Sequence, residues 1–315
     1  MPQLSLNDRK LGALWGAVTG DALGVPVEFT SREQRQRDPV TGQRGFGTWN
    51  QPPGTWSDDS SLMLCSIESL VQCGKLDTED MGRRFVRWYQ EGHWTPHGKV
   101  FDIGTATAQA LHNIAAGDPA EAAGGTGENS NGNGSLMRIL PLALWKTEEP
   151  DEALITAAQR ASRVTHGHIR SQMACAFYCL MVRRILRGLT PPAALEETLA
   201  VFSAHYALVE HDQLTWRFLM NDFRHLSNWD QSKIHSGGYV IETLVASIWC
   251  LLTTHSYGEC VLRAVNLGGD TDTTGIVAGG LAGAHYGLEA VPIIWREGLA
   301  RKKELADLFR QFVAS

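Results

Sequence analysis

The sequence predicts an all-α protein built as a compact bundle of ten or more helices, and three observations lead to that class. Apolar residues recur at helical spacing in most segments, several segments are rich in alanine, and strand-like alternation between hairpin turns is almost absent. The helices are expected in the segments 78–90, 105–116, 151–163, 168–187, 191–204, 206–224, 239–254, 257–266, 273–286 and 293–312.

A further helix is predicted by the apolar residues between Leu62 and Val71. Gly74 lies where this helix would end, because glycine readily adopts the left-handed conformation that terminates helices. Nearer the N-terminus, glycines spaced four residues apart form a ridge that suits close packing against another helix. These glycines are Gly12, Gly16, Gly20 and Gly24.

Irregular structure is expected in three stretches, 30–57, 92–104 and 117–135. The last is too rich in glycine and asparagine to be helical, and it passes at Ser135 into an apolar segment that predicts a helix. None of the three has the character of an interdomain linker. We therefore expect a single domain over residues 1–315.

Composition narrows the class of function. The 315 residues are 43% hydrophobic and 20% charged, with a formal net charge of −6, values typical of a globular protein. This charge argues against nucleic acid as a partner, since such binders present basic surfaces. The six cysteines form no CxxC pair, and we find neither a signal peptide nor an apolar run long enough to span a membrane. We expect a cytoplasmic protein with buried free thiols.

Two clusters of carboxylates each precede an apolar helix. Asp58 and Asp59 follow Ser57, and Asp270 and Asp272 follow a pair of glycines. The simple alternative is helix capping, since hydroxyls and acids stabilise the first turn of a helix. Capping accounts for one acid in the second cluster but not easily for two beside a Gly/Ala-rich helix that we expect to be buried. Buried carboxylates need a partner, and a cation is the natural one.

Together the two clusters offer four carboxylates and several hydroxyls, with no histidine or cysteine close by in sequence. Such oxygen ligands suit Mg²⁺ or Mn²⁺ and suit zinc poorly. Four carboxylates suffice for two divalent cations, which could polarise a substrate oxygen and activate a water molecule.

Three further segments could bind substrate. The loop from Asn131 to Ser135 could turn successive amides toward an anion, because glycine and asparagine tolerate positive φ, although common turns have the same composition. Asp102 lies at a predicted helix start, where an ordinary N-cap is an equal alternative. Glu28 lies in the loop after the glycine ridge, where a solvated acid is the more frequent outcome.

Four segments together resemble the ADP-ribosylglycohydrolase family. They are GALWGAVTGDALGVPVEF, GTWSDDSSLML, GNGSLMRILPLAL and AVNLGGDTDTTGIVAGGLAGAHYG, in the family's order over residues 12 to 287. The segments FDIGT and SGGYVIETL resemble in particular the bacterial branch that acts on ADP-ribosyl-arginine. The resemblance implies a compact orthogonal multi-helix bundle with two metal ions, usually Mg²⁺ or Mn²⁺.

The resemblance also implies roles for individual residues. Those implied as metal ligands are Ser57, where threonine is more usual, and Asp58, Asp59, Asp270, Asp272 and Thr273. Those implied in substrate binding are Glu28 in a loop near the metals, Gly132, Asn133, Gly134 and Ser135 around the pyrophosphate, His166 near the phosphates and Tyr239 on the adenine. A structural role for His166 is an equal alternative. Asp102 is implied in handling the ribose and the leaving guanidinium. Because removal of a proton from the activated water needs a carboxylate near the reacting carbon, we expect Asp102 to be catalytic, with Asp59 sharing the duty of a base.

The function that these residues predict is hydrolysis of ADP-ribose from arginine on a protein substrate. Two alternatives stay open. One is hydrolysis of O-linked ADP-ribose, against which the FDIGT segment argues mildly. The other is a binding or immunity protein that neutralises a cognate ADP-ribosyltransferase by occluding it, reversing its modification, or both.

Overall fold

The computed structural model describes residues 4–207 and 212–315, and within them the regular structure is helical. Extended backbone pairs there only as three isolated bridges, so the expected all-α class is confirmed. The helices are α1 (Leu6–Gly24), α2 (Arg32–Arg37), α3 (Asp58–Cys73), α4 (Thr78–Glu91), α5 (Thr105–Ala115), α6 (Ala120–Ala123), α7 (Leu140–Leu144), α8 (Asp151–Arg163), α9 (Ile169–Leu186), α10 (Pro191–Tyr206), α11 (Gln213–Asp222), α12 (Val240–Leu252), α13 (Tyr257–Val265), α14 (Thr271–Tyr286), α15 (Ile293–Glu297) and α16 (Lys302–Ala314).

Helices α1 and α14 form the central pair of the bundle and make the most extensive helix contact. The close packing predicted for the glycine ridge of α1 is confirmed, and its partners are glycines of α14. A Cβ atom at Gly16 would lie 2.5 Å from the carbonyl oxygen of Gly279, and one at Gly20 would lie 2.0 Å from that of Gly275. Since no side chain separates the two backbones, the C-terminal end of α1 lies against the start of α14, where Asp272 is found.

Helix α3 begins at the first acid cluster. The Ser57 side chain accepts a hydrogen bond from the amide of Asp59, so the capping role is real, and Gly74 ends the helix with φ of 65°. From Asp58 to Leu70 every residue of the helix except Glu68 is buried. Its first turn therefore faces the ends of α1 and α14 inside the protein.

Two predicted helices differ in the structure. The segment 293–312 is not one helix, because the chain breaks between α15 and α16 where Arg301 adopts φ of 47° and donates a hydrogen bond to the carbonyl of Thr95. The helix expected from Ser135 begins only at Leu140. Pro141 explains that start, since proline is tolerated in the first turn and not in the interior of a helix.

The segment predicted as helix over 206–224 is only partly realised, as α11. Residues 208–211 of that segment lie outside the described residues. The expected irregular stretches hold the short helices α2 and α6. In the described parts of the chain, no helix is long and apolar enough to cross a membrane. All six cysteines are free, and five of them are buried.

Candidate metal centre and substrate cleft

A cleft of about 380 Å³ opens where seven separate parts of the chain meet. Its walls come from the loop after α1, the start of α3, the segment that leads into α5, the loop around residues 129–137, the loop before α9, the loop before α12 and the start of α14. Its polar lining includes Glu28, Asp58, Asp59, Asp102, Asn133, His166, Asp270 and Thr273. Neither lysine nor arginine is among the described residues that line it. Segments that are far apart in sequence thus concentrate negative charge in one cavity.

The carboxylates converge in two overlapping groups. Asp21, Asp59 and Asp272 each place an oxygen within 4.8 Å of the others. Glu28, Asp102 and Asp272 do the same. Asp272 belongs to both groups and therefore joins them at the N-terminal end of α14. Such an arrangement of buried oxygens has the ligand type and the size that hard divalent cations require.

Several of these oxygens have no hydrogen-bond partner. Asp59 Oδ1, Asp270 Oδ1 and Asp272 Oδ2 are buried and accept no hydrogen bond. A buried, unpartnered carboxylate oxygen is costly, and a native protein keeps few of them. One such oxygen from α3 and two from the start of α14 fit divalent cations held between these helices.

The electrostatics of the cleft agree with this fit. Burial, followed by the charges of neighbouring acids, raises the pKa of Asp58, Asp59 and Asp272 well above the usual range. Burial, and then the charge of Asp102, raises the pKa of Glu28 to about 9. Burial, and then the charge of Asp270, raises the pKa of Asp102 to about 6. These groups repel one another in the metal-free protein.

Asp21 is a member of the site for which the sequence suggested no role. It is fully buried and accepts hydrogen bonds from the backbone amides of Ser57 at 2.9 Å and Ser60 at 3.0 Å, and from both hydroxyls. Burial outweighs these bonds and raises its pKa to about 7. Asp21 thereby fixes the first turn of α3. The signal available in the sequence was an isolated acid among the apolar and small residues that follow Lys10 in α1.

The two predicted hydroxyl ligands differ in position. Thr273 lines the cleft beside Asp270. The Ser57 hydroxyl lies 3.0 Å from Asp21 Oδ1 and 2.7 Å from Asp59 Oδ2, so it is shared between carboxylates. Ser57 connects the buried Asp21 to Asp59, which lines the cleft.

The loop expected to cradle a pyrophosphate has a different conformation from the one predicted. No residue from 131 to 135 has a positive φ, so the predicted reason for its glycines is wrong. Gly134 is required instead for close approach, because a Cβ atom there would lie 2.7 Å from Cε1 of His166. The Asn133 side chain donates to Asp270 Oδ2 at 2.8 Å and to Thr243 at 2.9 Å.

Ser135 was grouped with this loop, but its side chain is directed away from the cleft. The residue is fully buried, and its hydroxyl contacts Ser162 at 2.9 Å and Cys175 at 3.4 Å. Gly132, Asn133 and Gly134 do line the cleft. The hydroxyl of Ser135 therefore packs within the core, and only the three preceding residues offer atoms to a ligand in the cleft.

His166 is buried, and its ring borders the cleft beside Gly134. Its Nδ1 lies 2.9 Å from the Thr165 hydroxyl, which accepts a hydrogen bond from Arg138 Nη2 at 2.8 Å. Burial, and then the charge of Arg138, lowers the pKa of His166 to about 3, so the imidazole is neutral. Because Arg138 donates to the Thr165 hydroxyl, the hydroxyl hydrogen can be directed to Nδ1 of His166, and in that tautomer the ring hydrogen lies on Nε2.

The simple alternatives for Glu28 and Asp102 are wrong. Glu28 is only 4% exposed, and the indole of Trp49 donates a hydrogen bond to its Oε2, so it is not a solvated loop acid. Asp102 is not a helix cap, because Gly104 occupies the N-cap position of α5. Both side chains line the cleft beside Asp272.

Tyr239 lies at the N-cap position of α12. It borders a second cleft, of about 730 Å³, whose walls include Phe218, Trp229 and Val245. Its neighbour Gly238 lines the carboxylate cleft and bonds the amide of Asn133. The two clefts therefore adjoin at this point of the chain.

Comparison with known proteins agrees with this architecture. The family model described as ADP-ribosylglycohydrolase matches residues 2–315. The chain is 30% identical over 311 residues to the ADP-ribosylarginine hydrolase Tri1 of Serratia proteamaculans, covering 99% of this chain and 80% of that protein. It is 30% identical over 302 residues to the ADP-ribosyl-[dinitrogen reductase] glycohydrolase of Rhodospirillum rubrum, covering 95% and 93% of the two chains.

A solved structure extends the likeness to three dimensions. The chain superposes on an ADP-ribosylglycohydrolase-related protein with a TM-score of 0.79 and 35% identity, over 98% of both chains. The chain belongs to the ADP-ribosylglycohydrolase family. The resemblance and the helical bundle expected from the sequence are thereby confirmed.

Proposed function

We propose that this protein hydrolyses the N-glycosidic bond between ADP-ribose and an arginine side chain of a protein, with the help of two divalent cations. The observation that carries the proposal is the set of buried carboxylate oxygens without partners at the junction of α3 and α14. Relatives named as an ADP-ribosylarginine hydrolase and as an ADP-ribosyl-[dinitrogen reductase] glycohydrolase support the reaction.

The cations that fit are Mg²⁺ or Mn²⁺, because the donors are carboxylates and hydroxyls. The residues that would hold them are Ser57, Asp58, Asp59, Asp270, Asp272 and Thr273. Bound there, the ions would orient the ribose hydroxyls and lower the pKa of a water molecule. Asp21 and Asn133 would position these ligands, through Ser57 and Asp270 respectively.

We assign Asp102 to cleavage of the N-glycosidic bond. Guanidinium is a poor leaving group unless it stays protonated, and a carboxylate beside it would keep it so. Asp102 lies in the cleft within a group that includes Asp272, so it can reach the ribose side of a bound substrate. Asp59, closer to α1, would share the removal of the proton from water. Glu28 would contact the ribose from the facing loop.

The rest of ADP-ribose fits the remainder of the cleft. Gly132, Asn133 and Gly134 would surround the pyrophosphate, with Ser135 holding the loop from behind. His166 presents an N–H donor beside Gly134, which suits a phosphate oxygen. Tyr239 would pack on the adenine, at the point where the apolar second cleft begins.

The wider setting follows from this proposal. The partner would be an ADP-ribosylated protein, and a cognate transferase is a second candidate. We place residues 1–315 in one domain, since α1 contacts both α14 and the final helix α16. Six free cysteines favour a reducing compartment such as the cytoplasm.

A linkage panel tests the proposal. Release of ADP-ribose would be measured from arginine-linked, serine-linked and ester-linked substrates, with Mn²⁺, with Mg²⁺ and with excess EDTA. We expect release from the arginine-linked substrate that stops with EDTA. Release only from the O-linked substrates would show that the enzyme cleaves an O-glycosidic linkage and not the proposed arginine linkage. Binding of ADP-ribose without release from any substrate would favour a binding protein over an enzyme.

A further inference from the structure

Three aromatic side chains meet beside the cleft, and we call them the aromatic rim. The ring centroids of Phe29 and Trp49 lie 6.2 Å apart in an edge contact, and those of Trp49 and Phe101 lie 5.7 Å apart. Phe29 also lines the carboxylate cleft. The three rings come from three different segments, yet they form one continuous apolar surface.

Each residue of the aromatic rim is connected to a carboxylate of the site, either as its neighbour in sequence or through a hydrogen bond. Phe29 directly follows Glu28, and Phe101 directly precedes Asp102. The Trp49 indole donates a hydrogen bond to Glu28. Glu28 and Asp102 place oxygens within 4.8 Å of each other. A group that leaves the ribose between these two acids therefore meets the aromatic rim next.

Phe29 is held in a conformation that its own packing does not explain. It is 67% exposed, and its backbone has φ of 60°, a region that bulky residues rarely occupy. Its amide donates to the carbonyl of Gly269 at 2.7 Å, which fixes the backbone against the start of α14. Strained backbone and exposed aromatic surface beside a cleft are features of ligand-binding positions.

We propose that the aromatic rim, with Glu28 and Asp102, forms a subsite for the guanidinium and aliphatic stem of the substrate arginine. A guanidinium is planar and cationic, so it pairs with carboxylates at its edge and stacks on aromatic faces. The subsite offers both kinds of surface within one opening. A serine linkage has no cation and no stem to cover the rings. The proposal rests on the proposed function and names the residues that select its linkage.

The variants Phe29→Leu and Phe101→Leu test the subsite, singly and together. Phe46→Leu is the matched control, because Phe46 is 60% exposed with φ of 66° but lies outside the aromatic rim. We expect kcat/KM on ADP-ribosyl-arginine to fall roughly threefold in each single variant and roughly tenfold in the double variant. The Kd of free ADP-ribose and the turnover of a serine-linked substrate should change less than about twofold, since neither uses the stacked cation.

Equal losses on both linkages, or no loss on either, would overturn the subsite. A second readout separates this result from failure of the proposed function. Agmatine, a free guanidinium on an aliphatic stem, is titrated into the protein loaded with Mn²⁺ and ADP-ribose. Binding that the double variant weakens supports the subsite even if the wild-type protein cleaves another linkage. Agmatine binding that is absent, or equal in the double variant, contradicts the subsite even if arginine-linked substrates are cleaved.

Discussion

Helix α3 carries acids in two opposite electrostatic surroundings. At its start, Asp58 and Asp59 are buried among other carboxylates, and their pKa values are raised well above the usual range. Near its other end, Glu68 lies 2.8 Å from His93 and pairs with Arg84. Burial alone would raise the pKa of Glu68, but these partners outweigh it and lower that pKa. The same helix thus supports one acid cluster that is neutralised internally and one that is not.

This difference separates the acids that are paired within the chain from those that need a bound cation. An acid paired with arginine has its counter-charge inside the chain, and its removal leaves a surface position to be hydrated. An acid buried among other acids destabilises the chain unless an external cation arrives. The acids at the start of α3 lack the basic partners that Glu68 has in Arg84 and His93, and this contrast supports a metal centre at the start of α3. Variants of the two clusters should behave in opposite ways.

The largest difference is expected in metal binding and activity. Asp272→Asn removes the carboxylate shared by both groups and should lower activity by more than about 100-fold, since loss of even an indirect partner of a metal ligand costs 10- to 100-fold. Mn²⁺ affinity should fall with it. Glu68→Gln is the control and should leave both unchanged. Equal Mn²⁺ titrations for wild type and Asp272→Asn would remove Asp272 from the metal site.

Opposite signs are expected for stability in the absence of metal. Asp58→Asn replaces a buried acid, whose pKa is raised by burial and by neighbouring acids, with a neutral amide, and should raise the free energy of unfolding by roughly 1 to 2 kcal/mol at pH 8. Glu68→Gln deletes one partner of an ion pair and should lower it by up to about 1 kcal/mol. Denaturant titrations in EDTA measure both. A loss of stability in Asp58→Asn would mean that this acid has an internal partner.

A smaller effect is expected from pH. Folding raises the pKa of Asp102 to about 6, of Asp21 to about 7 and of Glu28 to about 9, from values near 4 in the unfolded chain. At these three groups the metal-free fold binds more protons than the unfolded chain, so their contribution to stability falls as pH rises from about 4 to about 9. The rise in Tm on adding Mn²⁺ should be larger at pH 8 than at pH 6. A rise that shrinks with pH would contradict these shifts.

Much of this organisation could be predicted from sequence because its signals are local. Helical periodicity predicts the bundle, and the spacing of the glycines of α1 predicts that this helix packs closely against another. Two acids beside each other or one residue apart at a helix start predict which oxygens converge. Asp58, Asp59 and Asp272 are therefore found in the places that the sequence indicated.

What could not be predicted depends on contacts between distant segments. The partners of Asp21 are amides at the start of α3, more than thirty residues away, so the apolar residues around Asp21 in sequence mark it as unusual but do not show what it contacts. The side chain of Asn133 meets Asp270 only after folding. The break before α16 depends on Arg301, which contacts Thr95 and stacks on Trp94. In each case tertiary contacts override the local pattern.

The number of cations that the protein binds tests the proposed two-metal centre most directly. Equilibrium dialysis with Mn²⁺ would be performed on the metal-depleted chain at pH 8, with Asp272→Asn and Glu68→Gln in parallel. We expect two Mn²⁺ ions per chain for wild type and for Glu68→Gln, and fewer for Asp272→Asn. Wild-type protein that binds no Mn²⁺, yet releases ADP-ribose in EDTA, would contradict the claim that the unpartnered carboxylates form a metal centre.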